Sequence, residues 1–214
     1  MSEEKKELDQ GGPVEGTAGE EKAAEKQSER LENSVYDWAR SLIAAVVGVV
    51  LLFTFFARLI GVSGPSMQDT LYTGDRILVL NSMFCDFQPG DVVVVNAYNA
   101  QLDDTLVKRI IAVGGQTVDI DFVTGTVYVD GEPLDEPYIK EPTYTTDGTE
   151  FPLTLAEDEV FIMGDNRNHS TDSRSVQLGP VKEGYIQGKA IFLLFPGVTP
   201  YTEERDWSRI GLID

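Results

Sequence analysis

Three stretches of this 214-residue chain hold side chains whose types permit covalent chemistry. The first is Ser63-Gly64-Pro65-Ser66-Met67, where a Gly-Pro pair bends the backbone ahead of a serine and can present its hydroxyl on a turn. The second is Lys108, set in the apolar run Thr105-Leu106-Val107-Lys108-Arg109-Ile110-Ile111. A lysine that such a run withdraws from water loses preference for its charged form, and a neutral amine can take a proton from a nucleophile. The third is Gly164-Asp165-Asn166-Arg167-Asn168-His169-Ser170-Thr171-Asp172-Ser173-Arg174. It is dense in groups that bond to backbone: Asp165 and Asn166 suit an Asx turn, and Asp172 and Arg174 can pair across a tight loop.

Each stretch also has a plainer reading. Ser66 can sit in a polar connector. Alternation puts Lys108 and Arg109 on opposite faces, one toward solvent, as ordinary edge-strand cations would be. The third stretch can be a loop held by its own side chains. His169, the only histidine, raises a Ser-His-Asp arrangement with Ser66. No Gly-x-Ser-x-Gly elbow surrounds Ser66, so a solvated loop histidine is the expectation.

The elements that must position these residues follow from pattern. Residues 1–34 are rich in Glu, Lys, Gln, Gly and Ser and read as a disordered acidic tail, with residues 20–32 able to form a frayed helix. Residues 42–60 are apolar except for Arg58, with Tyr36 and Trp38 just ahead. Nineteen such residues span about 28 Å as a helix, close to the thickness of a bilayer core. The long acidic stretch in front is wrong for a cleaved leader, so residues 35–61 read as a retained transmembrane anchor. Lys22, Lys26, Arg30 and Arg40 precede it and Arg58 and Arg76 follow, which places the N-terminus inside and residues 62–214 outside.

The remainder reads as all-β, a sandwich or barrel-like set of antiparallel sheets on that single N-terminal helix. Strands are expected over 76–80, 91–95, 106–113, 117–121, 126–129, 132–134, 160–163 and 190–195. Asp130-Gly131 marks a hairpin turn, and residues 135–152 a surface excursion. No helical period appears after residue 62. The net charge of −19 argues against nucleic acid as a partner. A lone Cys85 makes no internal disulfide, and the acid pairs Asp103-Asp104 and Asp119/Asp121 lack the spacing of a calcium loop.

Taken together, the stretches resemble the type I signal peptidases of bacteria, membrane-bound Ser/Lys proteases, in the single-anchor Gram-positive pattern. Four motifs carry the resemblance in the family's order between about residues 38 and 196: Gly64-Pro65-Ser66-Met67 with Thr70-Leu71; Gly74-Asp75 and Pro89-Gly90-Asp91-Val92-Val93; Val107-Lys108-Arg109-Ile110 with Gly114-Gly115; and Gly164-Asp165-Asn166-Arg167 through Ser170, Asp172, Ser173 and Arg174. The resemblance implies Ser66 as nucleophile and Lys108 as general base. It implies Ser170 orienting the lysine amine, and an Asp172–Arg174 ion pair supporting the loop with Asp165 and Asn166. Gly64, Pro65 and Met67 would belong to the substrate-binding and oxyanion region. It implies no cofactor and no metal. Its substrates are signal peptides of exported preproteins, cut after small residues of Ala-x-Ala type and bound extended against a strand. Its setting is the cytoplasmic membrane, catalytic domain on the outer face, with the lipid bilayer and the protein export machinery as neighbours.

Two positions depart from the family pattern. Asp69 stands where the family usually has proline. Gly64 stands where some members have a hydroxyl residue facing the oxyanion, so the hole here would use backbone N–H groups, that of Ser66 first. A different class of function is a non-catalytic, membrane-tethered β-domain that binds exported peptides. A third is a self-cleaving regulator of similar Ser/Lys arrangement, which the anchor argues against.

Overall fold

The computed structural model describes residues 17–97, 105–202 and 204–213; residues 1–16 and the pair Asp103-Asp104 lie outside them. The chain divides into two units, one before Leu52 and one from Leu52 onward. The described residues of the first are helical. A single helix, α1 (Thr17–Phe55), continues the segment that the sequence allows as a frayed helix straight into the apolar run. Within it Ser34–Phe55, 22 residues, is long and apolar enough to cross a bilayer.

The helix ends earlier than the apolar run does. The sequence reading carries it to Ile60, but α1 stops at Phe55 and the following residues form β1 (Ala57–Gly61). β1 pairs antiparallel with β2 (Arg76–Asn81), and Arg58 lies opposite Val79. Pairing with an existing sheet satisfies the backbone of β1, and Ile60 and Gly61 are poor helix formers. Hydropathy cannot distinguish the two outcomes, because apolar residues suit a helix and a strand alike.

From β1 on, the architecture is all-β with short 3₁₀ turns, and the strand pairings are antiparallel. The remaining strands are β3 (Val92–Asn96), β4 (Thr105–Ala112), β5 (Thr117–Asp121), β6 (Thr126–Val129), β7 (Glu132–Pro133), β8 (Leu153–Thr154), β9 (Glu159–Met163), β10 (Val181–Lys182), β11 (Ile186–Phe195) and β12 (Gly211–Leu212). The larger sheet runs β1-β2-β11-β3-β4-β9-β10, with β12 on β11; the smaller runs β7-β6-β5-β8. Among the strands missed from sequence, β8, β10 and β12 are two residues long, too short for alternation to show, and β1 lies in the apolar run read as helix.

β3 explains how the core is built. Its four consecutive valines are all buried. Val92 and Val94 join Leu71, Ile77 and Val79 in one apolar cluster, while Val93 and Val95 join Ile110, Val160 and Ile162 in another. A strand covered on both faces needs an unbroken apolar run rather than alternation. A third cluster, around Val118, Val127, Phe161 and Met163, ties the smaller sheet to β9. The β6–β7 turn is the Asp-Gly hairpin read from sequence: Asp130 and Gly131 have φ of 54° and 84°, the left-handed pair such a two-residue turn demands.

β4 lies inside the sheet, between β3 and β9. Lys108 is opposite Val93, and Arg109 opposite Val92 on one side and Met163 on the other. This corrects the expectation that one of the two cations faces solvent. Lys108 is 2% exposed and Arg109 1%. The serine turn covers the Lys108 amine, and Asp165 and the Tyr138 ring cover the Arg109 guanidinium, so neither charged end is left to water.

Candidate active site

Ser66 sits on the turn that joins β1 to β2. Gly64 has φ of 90°, a left-handed conformation that strains any residue with a side chain, which is why a hydroxyl residue does not suit this backbone. Its N–H donates to Thr73 Oγ1 at 3.1 Å, and the Thr73 hydroxyl donates to the Gly64 carbonyl at 3.2 Å. After Pro65 the chain coils tightly: Gln68 N–H donates to the Pro65 carbonyl and Leu71 N–H to that of Met67. The buried side chains of Met67 and Leu71 enter the core under the turn, fixing its height over the sheet. Met67 therefore acts first as a core residue, though it also borders the cleft beside Ser66.

Lys108 reaches this turn from β4. Its Nζ donates to Ser66 Oγ at 2.7 Å, across 42 residues of sequence. The two groups line a cleft of about 420 Å³ between residues 60–64 on one wall and residues 105–108 on the other. The cleft is mixed in character, with Val62, Leu106 and Val107 beside the polar pair.

The loop after β9 braces the turn by its backbone, and four of its charged side chains, Asp165, Arg167, Asp172 and Arg174, are buried. Asn166 N–H donates to the Ser66 carbonyl at 3.0 Å and its Nδ2 to the Pro65 carbonyl at 3.0 Å. Asp165, fully buried, takes a two-pronged hydrogen bond from Arg109, Nε at 3.0 Å and Nη2 at 2.9 Å, and a third from the Thr70 hydroxyl at 2.5 Å. The residue beside the lysine and a residue of the serine turn thus share one carboxylate. Arg109 also lies over the Tyr138 ring at 4.0 Å.

Asp172 and Arg174 form the expected ion pair, Nε to Oδ1 at 2.8 Å and Nη2 to Oδ2 at 2.8 Å, both side chains buried. Asp172 accepts in addition from Gly164 N–H at 3.0 Å, and Arg174 donates to the Arg167 carbonyl at 2.5 Å. Buried charges of this kind stay in place only when every prong is satisfied, and these are. A further pair lies behind them: Arg167 to Glu136 at 2.6 Å and 3.0 Å.

Ser170 differs from its expected place. Its Oγ is buried beside Gly164 and has no hydrogen-bond partner among the described residues, so the bond to the Lys108 amine is not made in this structure. His169 does not join Ser66. It is 70% exposed with Glu141 at 3.8 Å, and the Ser66 hydroxyl is engaged by Lys108 instead. Asp69 is settled as well: its carboxylate accepts from the Tyr72 hydroxyl at 3.2 Å and the Tyr201 hydroxyl at 3.1 Å. Burial, and then Asp69, push the Tyr72 hydroxyl up to about 12, so it remains a donor at ordinary pH.

Sequence reasoning gave no role to Thr70 or Glu136, and it expected one of Lys108 and Arg109 to face solvent. The signal for Arg109 was present: two adjacent cations inside an apolar run require two buried partners if that run is an interior strand. Asp121 makes a tight turn of its own, accepting from Val123 N–H, Thr124 N–H and the Thr124 hydroxyl, which holds its carboxyl below the usual range.

Comparison with known proteins bears on this arrangement. The family described as "Signal peptidase, peptidase S26" matches residues 35–195. The chain is 35% identical over 182 residues to a signal peptidase I of Bacillus amyloliquefaciens, covering 81% of this chain and 95% of that one. It is 34% identical over 239 residues to a signal peptidase I of Mycobacterium tuberculosis, covering 86% and 81%. Among solved structures, a signal peptidase I from Enterococcus faecalis aligns with a TM-score of 0.41 at 26% identity, over 49% of this chain and 97% of that chain.

Proposed function

The chain belongs to the signal peptidase, peptidase S26 family, and from that premise we propose that it removes signal peptides from exported preproteins by a Ser66–Lys108 dyad. One observation carries the reading: the 2.7 Å hydrogen bond between a lysine 2% exposed and a serine hydroxyl at the mouth of a cleft. That distance lies within the range for proton transfer. Ser66 Oγ attacks the scissile carbonyl as the Lys108 amine takes its proton. The resulting ammonium gives that proton to the departing amine, leaving an acyl-enzyme on Ser66. Water, activated by the same amine, then releases the acyl group. Ser66 N–H is the first donor to the oxyanion.

The lysine must be neutral to begin, and withdrawal from water disfavours the ammonium. The Asp165–Arg109 pair keeps the neighbouring position charged and fixed, while Asp172 and Arg174 hold the loop that supports the serine turn. Ser170 orients the amine once substrate excludes water. The peptide lies extended between residues 60–64 and 105–108, and the confined cleft favours small side chains before the cut, as in Ala-x-Ala.

Ser34–Phe55 is the membrane anchor, its apolar side chains exposed on every side in a way that suits lipid. Residues 1–34 stay in the cytoplasm and the β-domain acts at the outer face of the cytoplasmic membrane, alongside the export machinery. Ser66 follows the end of α1 by only eleven residues.

The test is preprotein cleavage by the full chain in detergent. Ser66→Ala and Lys108→Ala each lower turnover by at least about a thousandfold. Lys108→Arg is equally inactive, because a guanidinium does not give up its proton. Near-normal turnover by any of the three refutes the dyad. A silent wild-type protein that still binds signal peptides favours the binding domain instead.

A further inference from the structure

The turn that carries Ser66 is held from a second side, by residues that follow β11. Arg209 is the centre of this contact. Its guanidinium takes Asp75 in a two-pronged pair, Nη1 to Oδ1 at 3.1 Å and Nη2 to Oδ2 at 2.7 Å, and Nη2 also donates to the Thr70 carbonyl at 3.1 Å. Its flat face lies 4.4 Å from the centre of the Tyr72 ring. Asp75 is fully buried and accepts two further bonds, from Tyr72 N–H at 2.8 Å and Gly197 N–H at 2.5 Å. Tyr201 adds the bond to Asp69 already described, and its ring meets that of Tyr72 edge-on at 6.4 Å.

Arg209 is itself fixed. It ends a 3₁₀ turn (Trp207–Arg209) capped by Asp206, which accepts from the Ser208 N–H at 3.0 Å and hydroxyl at 2.6 Å. Directly after it, β12 pairs with β11 in the main sheet. Both contacts come from residues past 195, where the family match ends.

Thr70 is therefore clamped at both ends. Its hydroxyl is held by Asp165, which Arg109 fixes in turn from β4, and its carbonyl by Arg209 from the segment after β11. The loop after β9 holds the turn from one side through Asp165 and Asn166, and Arg209 adds restraint from the other. We propose that the segment after β11 is a second brace on the nucleophile turn, with Arg209 and Tyr201 as positioning residues that set Ser66 Oγ against Lys108. Asp69 is the acceptor through which Tyr201 acts. This rests on the Ser66–Lys108 reading, because positioning has meaning only relative to that dyad.

The test measures kcat and KM separately for cleavage of a preprotein with an Ala-x-Ala site, using the full chain in detergent. Each variant is normalised to its folded fraction and paired with a thermal unfolding curve. Arg209→Lys keeps a cation for Asp75 but lacks the fork that also reaches the Thr70 carbonyl. It lowers kcat about tenfold or more with KM nearly unchanged. Tyr201→Phe removes only a hydroxyl and lowers kcat about threefold by the same logic. In the Asp69→Ala background it has no further effect, since the shared bond is already gone.

A merely structural role would lower the unfolding temperature and leave kcat per folded molecule intact, which overturns the proposal. So does a rise in KM at constant kcat, or additive effects of Asp69→Ala and Tyr201→Phe. If Arg209→Lys does not fold, the Asp69–Tyr201 cycle decides alone. Ser66→Ala in the same assay separates the two ideas: its normal turnover sinks the dyad, whereas its inactivity beside unaltered Arg209→Lys and Tyr201→Phe sinks only the brace.

Discussion

Gly164→Ala tests whether the loop after β9 positions the nucleophile by close approach. Gly164 has no left-handed φ, so backbone conformation does not demand glycine there. Space does. A Cβ at this position would meet the Ser66 carbonyl oxygen and Ser170 Oγ inside hard contact, with Ser170 Cβ at 2.7 Å. Ordinary contact is about 3.5–4.0 Å, so the neighbours must yield by roughly an ångström. The Ser66 carbonyl is also where Asn166 N–H is anchored at 3.0 Å, and Gly164 N–H is itself held by Asp172 at 3.0 Å. With the loop pinned by the Asp172–Arg174 pair, the serine turn is the part that moves. An ångström at Ser66 takes Oγ from 2.7 Å to outside good hydrogen-bond range of Lys108. The expected result is a loss of about a hundredfold in kcat. Stability falls by about 1–3 kcal/mol, the usual cost of overpacking, which leaves most domains folded. The assay is preprotein cleavage per folded molecule, with a denaturant melt in parallel. A variant within about threefold of wild-type kcat refutes the reasoning, since a misplacement of this size costs far more.

Two further outcomes follow from single groups. Ser170→Ala leaves stability unchanged or slightly raised, because the hydroxyl is buried without a partner, yet lowers kcat if it orients the lysine in the substrate complex; a melt and a kcat measured together separate these, and full activity removes Ser170 from the proposed machinery. Tyr138 has its hydroxyl pushed up to about 12, first by burial and then by Glu136. Its raised value means the unfolded chain ionises first, so the tyrosine's contribution is intact below about pH 10 and lost as pH rises toward 12. Denaturant melts from pH 9 upward should show Tyr138→Phe losing less stability than wild type across that window; parallel curves would contradict the shift.

What the sequence determined by itself was local. Alternation over β5, the apolar run of β3 and the Asp130-Gly131 turn are set by side chains within a few residues of one another, so they are legible without a fold. The Gly-Pro ahead of Ser66 and the density of loop 164–174 were legible in the same way, and the order of the motifs carried the family resemblance. The tertiary structure decided whatever depended on partners far along the chain. Whether residues 57–61 continue a helix or pair with β2 turns on a sheet edge that local hydropathy does not encode. Whether Lys108 and Arg109 face water turns on the serine turn and the loop after β9 packing over β4. Asp69 is answered by Tyr201, 132 residues away, and Asp75 by Arg209, 134 residues away. Ser66 meets Lys108 for the same reason: a buried polar group is tolerable only where the fold brings it a partner, and sequence shows the need for one without showing which.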